Sequence, residues 1–226
     1  MFDIEENIKL SLTDEGKALL AEEAGLNLDS DLFDPRFDYV FKRIFTADSQ
    51  KSKAALINFL NSVLKFTGDG IITDLTVISS EIPVDYREYK KSVFDVRATF
   101  KKGEQGIIEM QVGRNDDFKK RSQFLISKAY SSQELSGFGY INLKRCYLIC
   151  ITNFTLFNDD GYHSDFMFRD EDGVPLNDDL TIVFIELSKL EALLSKPTED
   201  LTDAECWAIF LRYAAYKEKR DILGNL

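Results

Sequence analysis

Asp95, Glu109 and Gln111 have the residue types and spacing to hold a cation between two β-strands. In KSVFDVRATF, strand alternation puts Phe94, Val96, Ala98 and Phe100 on one side and Asp95, Arg97 and Thr99 on the other. In GIIEMQV, Ile108, Met110 and Val112 share one side, which leaves Glu109 and Gln111 as neighbours on the opposite one. A hairpin that sets Asp95 opposite Gln111 makes Glu109 its diagonal neighbour, about 7 to 8 Å away between backbone positions. That register needs an odd loop or a bulge, because an even loop would put Asp95 and Glu109 on opposite faces. Two carboxylates converging beside a backbone carbonyl and water suit Mg²⁺, with Mn²⁺ as the alternative ion. Such an ion polarises a phosphate, lowers the pKa of a bound water and neutralises a departing oxygen. The plainer reading of the same residues is an Asp95 paired with Arg97 or a lysine, beside the wet face of an antiparallel sheet.

Other chemistries have little support. The only histidine, His163, lies in the loop-like NDDGYHSDF, and Cys146, Cys150 and Cys206 lack CxxC spacing, so zinc and histidine-base schemes are disfavoured and the thiols read as buried and free. The net charge of -11 disfavours a nucleic-acid partner until its distribution is considered. Between Arg87 and Lys128 there are eleven Lys/Arg against six Asp/Glu, while the remainder holds seventeen against thirty-three. A basic segment inside an acidic chain marks where an anionic ligand would go, although surface lysines also serve solubility alone.

These side chains need a scaffold, and 226 residues with 44% hydrophobic content suit one packed domain. No stretch reaches the roughly 20 apolar residues of a membrane span, and MFDIEENIKL lacks the features of a signal peptide, so a cytoplasmic protein without membrane association is expected. Residues 1–33 read as an N-terminal extension with a short helix over 13–24, and residues 34–226 as the domain. In DPRFDYVFKRIF, Phe37, Val40, Phe41, Ile44 and Phe45 form the stripe of an amphipathic helix. A second helix is predicted over 51–64, then strands in ITDLTVISSEI, KSVFDVRATF and GIIEMQV. A helix follows, with Phe118, Phe124, Leu125, Lys128, Ala129 and Leu135 at helical spacing, and then CYLICIT, a strand buried on both faces. A further strand over 180–186 and a helical tail over 203–223, carrying Trp207, Phe210 and Leu211, complete the chain.

With these blocks in this order the chain resembles the PD-(D/E)xK nuclease family transposases, which include recombination-promoting nucleases. The resemblance spans 34–223 and rests on DPRFDYVFKRIF with INFLNSVL, on KSVFDVRATFKKGEQGIIEMQV, on FKKRSQFLISKAYSSQELSGFGY, on LICITNFTLF and on WAIFLRYA. It implies an α/β (α+β) restriction-endonuclease-like core, a central mixed sheet flanked by helices in the order αβββαβ with C-terminal additions. It also implies metal-dependent cleavage of double-stranded DNA, with Asp95 and Glu109 as catalytic metal ligands and Gln111 in the slot of the signature lysine.

Glutamine can neither act as a base nor carry positive charge. Lys91, four residues before Asp95, is the first candidate to compensate, and Lys42 on the first helix is the alternative. Arg114, Lys119, Lys120 and Arg121 are the expected DNA-binding residues. Arg121 and Tyr130 match recurring family positions, as a phosphate clamp and a packing tyrosine or otherwise, while Asp38 reads as an accessory acid or a solvated helix charge. A homodimer would let two sites address two strands. Two competing classes are a catalytically inactive DNA-binding or assembly protein on a decayed nuclease fold, and a protein-interaction module using the acidic surface.

Overall fold

The computed structural model describes residues 34–80, 94–133 and 139–216. The N-terminal extension with its helix over 13–24, Lys91, Leu135 and the expected helix beyond residue 216 lie outside the described residues.

Helix α1 (Asp38–Thr46) buries Val40, Phe41, Ile44 and Phe45, the stripe expected from the spacing. Helix α2 (Gln50–Val63) starts at Ser49, whose hydroxyl accepts the Ser52 amide at 3.0 Å and so satisfies one orphan donor of the first turn. Strands β1 (Leu75–Val77), β2 (Val96–Phe100) and β3 (Gln105–Gln111) form an antiparallel run. Helix α3 (Phe118–Ser131) then crosses to β4 (Cys146–Thr152), which lies parallel to β3, as a parallel pair requires. Strand β5 (His163–Phe166) pairs antiparallel with β6 (Leu180–Glu186), which is itself parallel to β4. The sheet has six strands in the order β1-β2-β3-β4-β6-β5. Helix α4 (Asp203–Tyr213) opens with a reciprocal capping box between Thr202 and Glu205.

Two cores clamp the sheet. On one face α1, α2 and α4 pack Phe41, Phe45, Phe59 and Trp207 against Val96, Ala98, Ile108, Ile149 and Ile151. On the other, α3 packs Phe118, Leu125, Ile126 and Ala129 against Ile107, Leu148, Cys150 and Phe184. All seven residues of β4 are buried, as its continuous apolar run predicted.

The hairpin between β2 and β3 sets the geometry of the site. Its loop is closed by the Gly103 amide on the Phe100 carbonyl at 2.9 Å and the Phe100 amide on the Glu104 carbonyl at 2.8 Å. Gly103 has φ +92, a left-handed conformation that an L side chain resists. Inside β3, a Cβ on Gly106 would stand 2.7 Å from the Phe100 ring, so the ring lies flush on the backbone there.

Four expectations require correction. Phe124, grouped by helical spacing with Phe118 and Leu125, is 59% exposed, because the buried stripe runs instead through Phe118, Ser122, Leu125, Ile126 and Ala129. Phe94 does not share a face with Val96: it packs into the α3 core, so strand alternation breaks at Asp95 and β2 begins only at Val96. The segment containing His163, read as a loop, is the edge strand β5. Finally, α4 ends at Tyr213, and residues 214–216, which the predicted helical tail ran through, are not helical.

Candidate active site

The pairing runs Val96 with Ile108, Arg97 with Ile107 and Thr99 with Gln105. A register with Asp95 opposite Gln111, as the sequence suggested, would pair Val96 with Met110, so the strands are shifted by two residues from that expectation. The three-residue turn has the odd length that a shared face requires, and the Asp95 and Glu109 carboxylates stand near enough to repel each other. The Asp95 Oδ2 atom accepts the Met110 amide at 2.7 Å, which ties the start of β2 to the middle of β3. Gln111 is left out of the pair: its Nε2 donates to the Gly113 carbonyl at 2.9 Å, fixing the chain where β3 ends.

Glu109 is 3% exposed. Its Oε2 accepts Arg121 Nη2 of α3 at 3.0 Å, while its Oε1 is buried with no hydrogen-bond partner. Burial, above all, and then the neighbouring Asp95 charge push the Glu109 carboxyl up to about 8, with Arg121, the nearby Asp95 amide and Lys42 opposing the rise. Burial likewise pushes Asp95 up to about 6; the Met110 amide and Lys42 oppose this and Asp38 adds to it.

Helix α1 supplies the third side of the corner. Lys42 Nζ lies 3.6 Å from Asp95 Oδ1 and 2.7 Å from Asp38 Oδ1 one turn earlier. Burial alone would lower the Lys42 ammonium, yet Asp38, by hydrogen bond and charge, and Asp95 hold it above the ordinary lysine range. Lys42, named only as an alternative from the sequence, and Asp38, named as an accessory, are therefore in contact with the predicted carboxylate.

The donor set suits a hard divalent ion. Among the described residues no three His, Cys, Asp or Glu side chains gather as a metal cluster. Two carboxylates are nevertheless the protein contribution that Mg²⁺ usually takes, the rest of its shell being water. The unpartnered Oε1 is the observation that supports the fit. A buried carboxylate oxygen without a donor is costly, and a cation beside it would remove both that cost and the repulsion between Asp95 and Glu109.

The expected DNA-binding residues divide. Arg121 belongs to the corner through its ion pair with Glu109. Arg114 pairs with Asp116 at 3.1 Å on the surface, Lys119 stands 4.1 Å over the Phe157 ring, and Lys120 is exposed. Tyr130 donates its hydroxyl to Asp179 Oδ2 at 2.9 Å, beside the start of β4, so it is a packing and bridging residue remote from the carboxylates. Asp34, Arg36, Asn153 and Arg212, which sequence reasoning did not single out as functional, meet near the end of β4. The one local signal was DPRF, which reads as a helix start and hides the role of its arginine.

A family model described as PD-(D/E)XK nuclease family transposase matches residues 35–224. No curated protein and no solved structure matches the chain. The mixed six-stranded sheet with its four described helices is consistent with the restriction-endonuclease-like fold of that family. Among the described residues no helix is long and apolar enough to cross a membrane.

Proposed function

Because the chain belongs to the PD-(D/E)XK nuclease family transposases, we propose that it hydrolyses phosphodiester bonds of double-stranded DNA at the Asp95–Glu109 corner, with Mg²⁺ as cofactor and Mn²⁺ as a substitute. The reading rests most on one observation: a buried Glu109 oxygen without a partner, next to a second carboxylate whose charge it resists.

Asp95 and Glu109 would hold the ion, which when bound supplies Lewis-acid polarisation of the phosphate and a more acidic water. Arg121 anchors Glu109 Oε2 and so leaves Oε1 to face the ligand position. Lys42 takes the charge role that glutamine cannot fill, supported by its 3.6 Å approach to Asp95. In that position an ammonium orients the attacking water or stabilises the charge that develops on the phosphate. Gln111 orients the end of β3 rather than reacting, and Arg114, Lys119 and Lys120 contribute phosphate contacts outside the corner. Dimerisation would allow cleavage of both strands in one encounter.

Plasmid cleavage tests this reading. Nicking that requires Mg²⁺, stops in EDTA and is lost in Asp95→Asn with an unchanged fold supports it; full activity in Asp95→Asn excludes the site. A second reading, a DNA-binding protein without cleavage, is favoured by the Gln111 amide being committed to Gly113. Salt-sensitive DNA binding without cleavage in either metal would select it.

A further inference from the structure

Two arginines converge on a single side-chain oxygen beyond the end of β4. Arg36 Nη1 donates to Asn153 Oδ1 at 3.1 Å, and Arg212 Nη1 of α4 donates to the same atom. Arg36 also pairs with Asp34, through its Nε at 2.8 Å and its Nη2, and its Nη2 lies 3.5 Å from the Tyr216 hydroxyl. Asp34 is thus the carboxylate of the group, and it is spent on Arg36. Among the described residues no carboxylate pairs with Arg212, whose guanidinium is 5.9 Å from the Tyr213 ring centroid. Two like charges share one neutral acceptor, and the described members of the group carry a net positive charge.

Its position relates it to the corner. The Asn153 amide donates to the Gln111 carbonyl at 3.0 Å, so Asn153 is tied to the strand that carries Glu109. Strands β3 and β4 are parallel with Glu109 beside Cys150, which puts Asn153 three residues, or about 10 Å, further along the strand direction. Along the other route, Arg36 lies in the turn two residues before α1, the helix that carries Lys42. The β4 path thus puts Asn153, the residue both arginines hold, about 10 Å beyond the Glu109 position. A DNA strand carries one phosphate per ~3.4 Å of helix axis, so the separation corresponds to one to three phosphates.

We propose that Arg36 and Arg212 form an anion clamp for a DNA backbone phosphate flanking the scissile one, with Arg212 as the contacting arm and Arg36, held by Asp34, as the fixed one. Guanidinium groups fit this task, because their planar donor forks match phosphate oxygens and keep their charge at any working pH. Asn153 positions both groups without neutralising them. The inference rests on the nuclease reading, and it assigns substrate binding to α4 and the start of α1, outside the basic segment between Arg87 and Lys128.

The test is DNA affinity of the full chain against salt, measured in EDTA with a short duplex, for the wild type, Arg212→Gln and Arg212→Lys. The clamp predicts that Arg212→Gln weakens binding severalfold and lowers the magnitude of the log–log salt slope by about one, while Arg212→Lys retains the slope. With Mg²⁺ present, Arg212→Gln raises KM and leaves kcat within about twofold, since uniform binding alone is lost. A lower Tm with an unchanged salt slope in both variants would show a structural role and overturn the clamp, as would wild-type affinity in Arg212→Gln. Absence of DNA binding by the wild type would overturn the nuclease reading together with the clamp.

Discussion

Glu109 and Glu186 are both buried glutamates near the carboxyl ends of parallel strands, and their surroundings differ in one respect. Glu186 is 0% exposed and fully satisfied: its Oε1 accepts the amides of Leu156 and Phe157, and its Oε2 pairs with Lys189 at 2.6 Å. It closes the loop after β4 onto the end of β6. Among the described residues Glu109 has one side-chain partner, Arg121, for its two oxygens, and the neighbouring Asp95 carboxylate repels it. A satisfied buried carboxylate holds a fold together, whereas an unsatisfied one is a cost that folding alone does not explain. The difference separates a structural ion pair from a binding site in the same sheet.

The largest effect should come from neutralising the unsatisfied member. Glu109→Gln is expected to lose DNA cleavage on the order of 10³-fold, the scale on which loss of a transition-state charge stabiliser is felt, while its far-UV spectrum stays native. Removal of the satisfied member should act on the fold: Glu186→Ala is expected to destabilise by about 3–5 kcal/mol, because it takes the buried carboxylate from Lys189 and leaves two amides unpaired, and denaturant unfolding would read this. Equal destabilisation by Glu109→Gln and Glu186→Ala would erase the contrast.

A smaller effect concerns pH. Asp95 is raised from 3.8 to about 6 and Glu109 from 4.5 to about 8, so between these limits the folded protein binds more protons than the unfolded chain. Stability of the metal-free protein is therefore full below about pH 4 and falls as pH rises through 6 towards 8, by several kcal/mol. Glu109→Gln should flatten most of that slope in a series of Tm measurements. Lys42→Met is expected to slow cleavage by 10- to 100-fold with little change in DNA affinity, the size of effect seen when a group that orients a metal site is lost. An unchanged rate would remove Lys42 from the site.

The parts of this contrast that sequence could disclose follow from local periodicity. The odd parity of the β2–β3 hairpin was only a condition for the site, but the α1 stripe, the apolar run of β4 and the alternation around Glu109 are short-range patterns, and they were legible. The register was not, because the three-residue turn ending at Gly103 and the close contact of Phe100 on Gly106 decide it, and neither appears in a hydrophobic pattern. Phe94 misled for a related reason: an apolar residue before Asp95 reads as continued alternation, but the chain turns there into the second core. Phe124 fell on helical spacing without facing either core. Lys42 and Arg212 could not be placed from sequence, since each meets the sheet through helix packing between segments far apart in the chain. Strand β5 is short, polar at its start and flanked by acidic turns, so its pairing with β6 leaves almost no local signal.

Calorimetric titration of Mn²⁺ into the metal-free protein tests the Asp95–Glu109 corner most directly. A metal site built on the unpartnered Glu109 oxygen predicts saturable binding at pH 8 that releases protons, weakens steeply by pH 5.5 as both carboxyls regain theirs, and is absent in Glu109→Gln. Binding of equal affinity in the wild type and Glu109→Gln, or none in the wild type at pH 8, would contradict it.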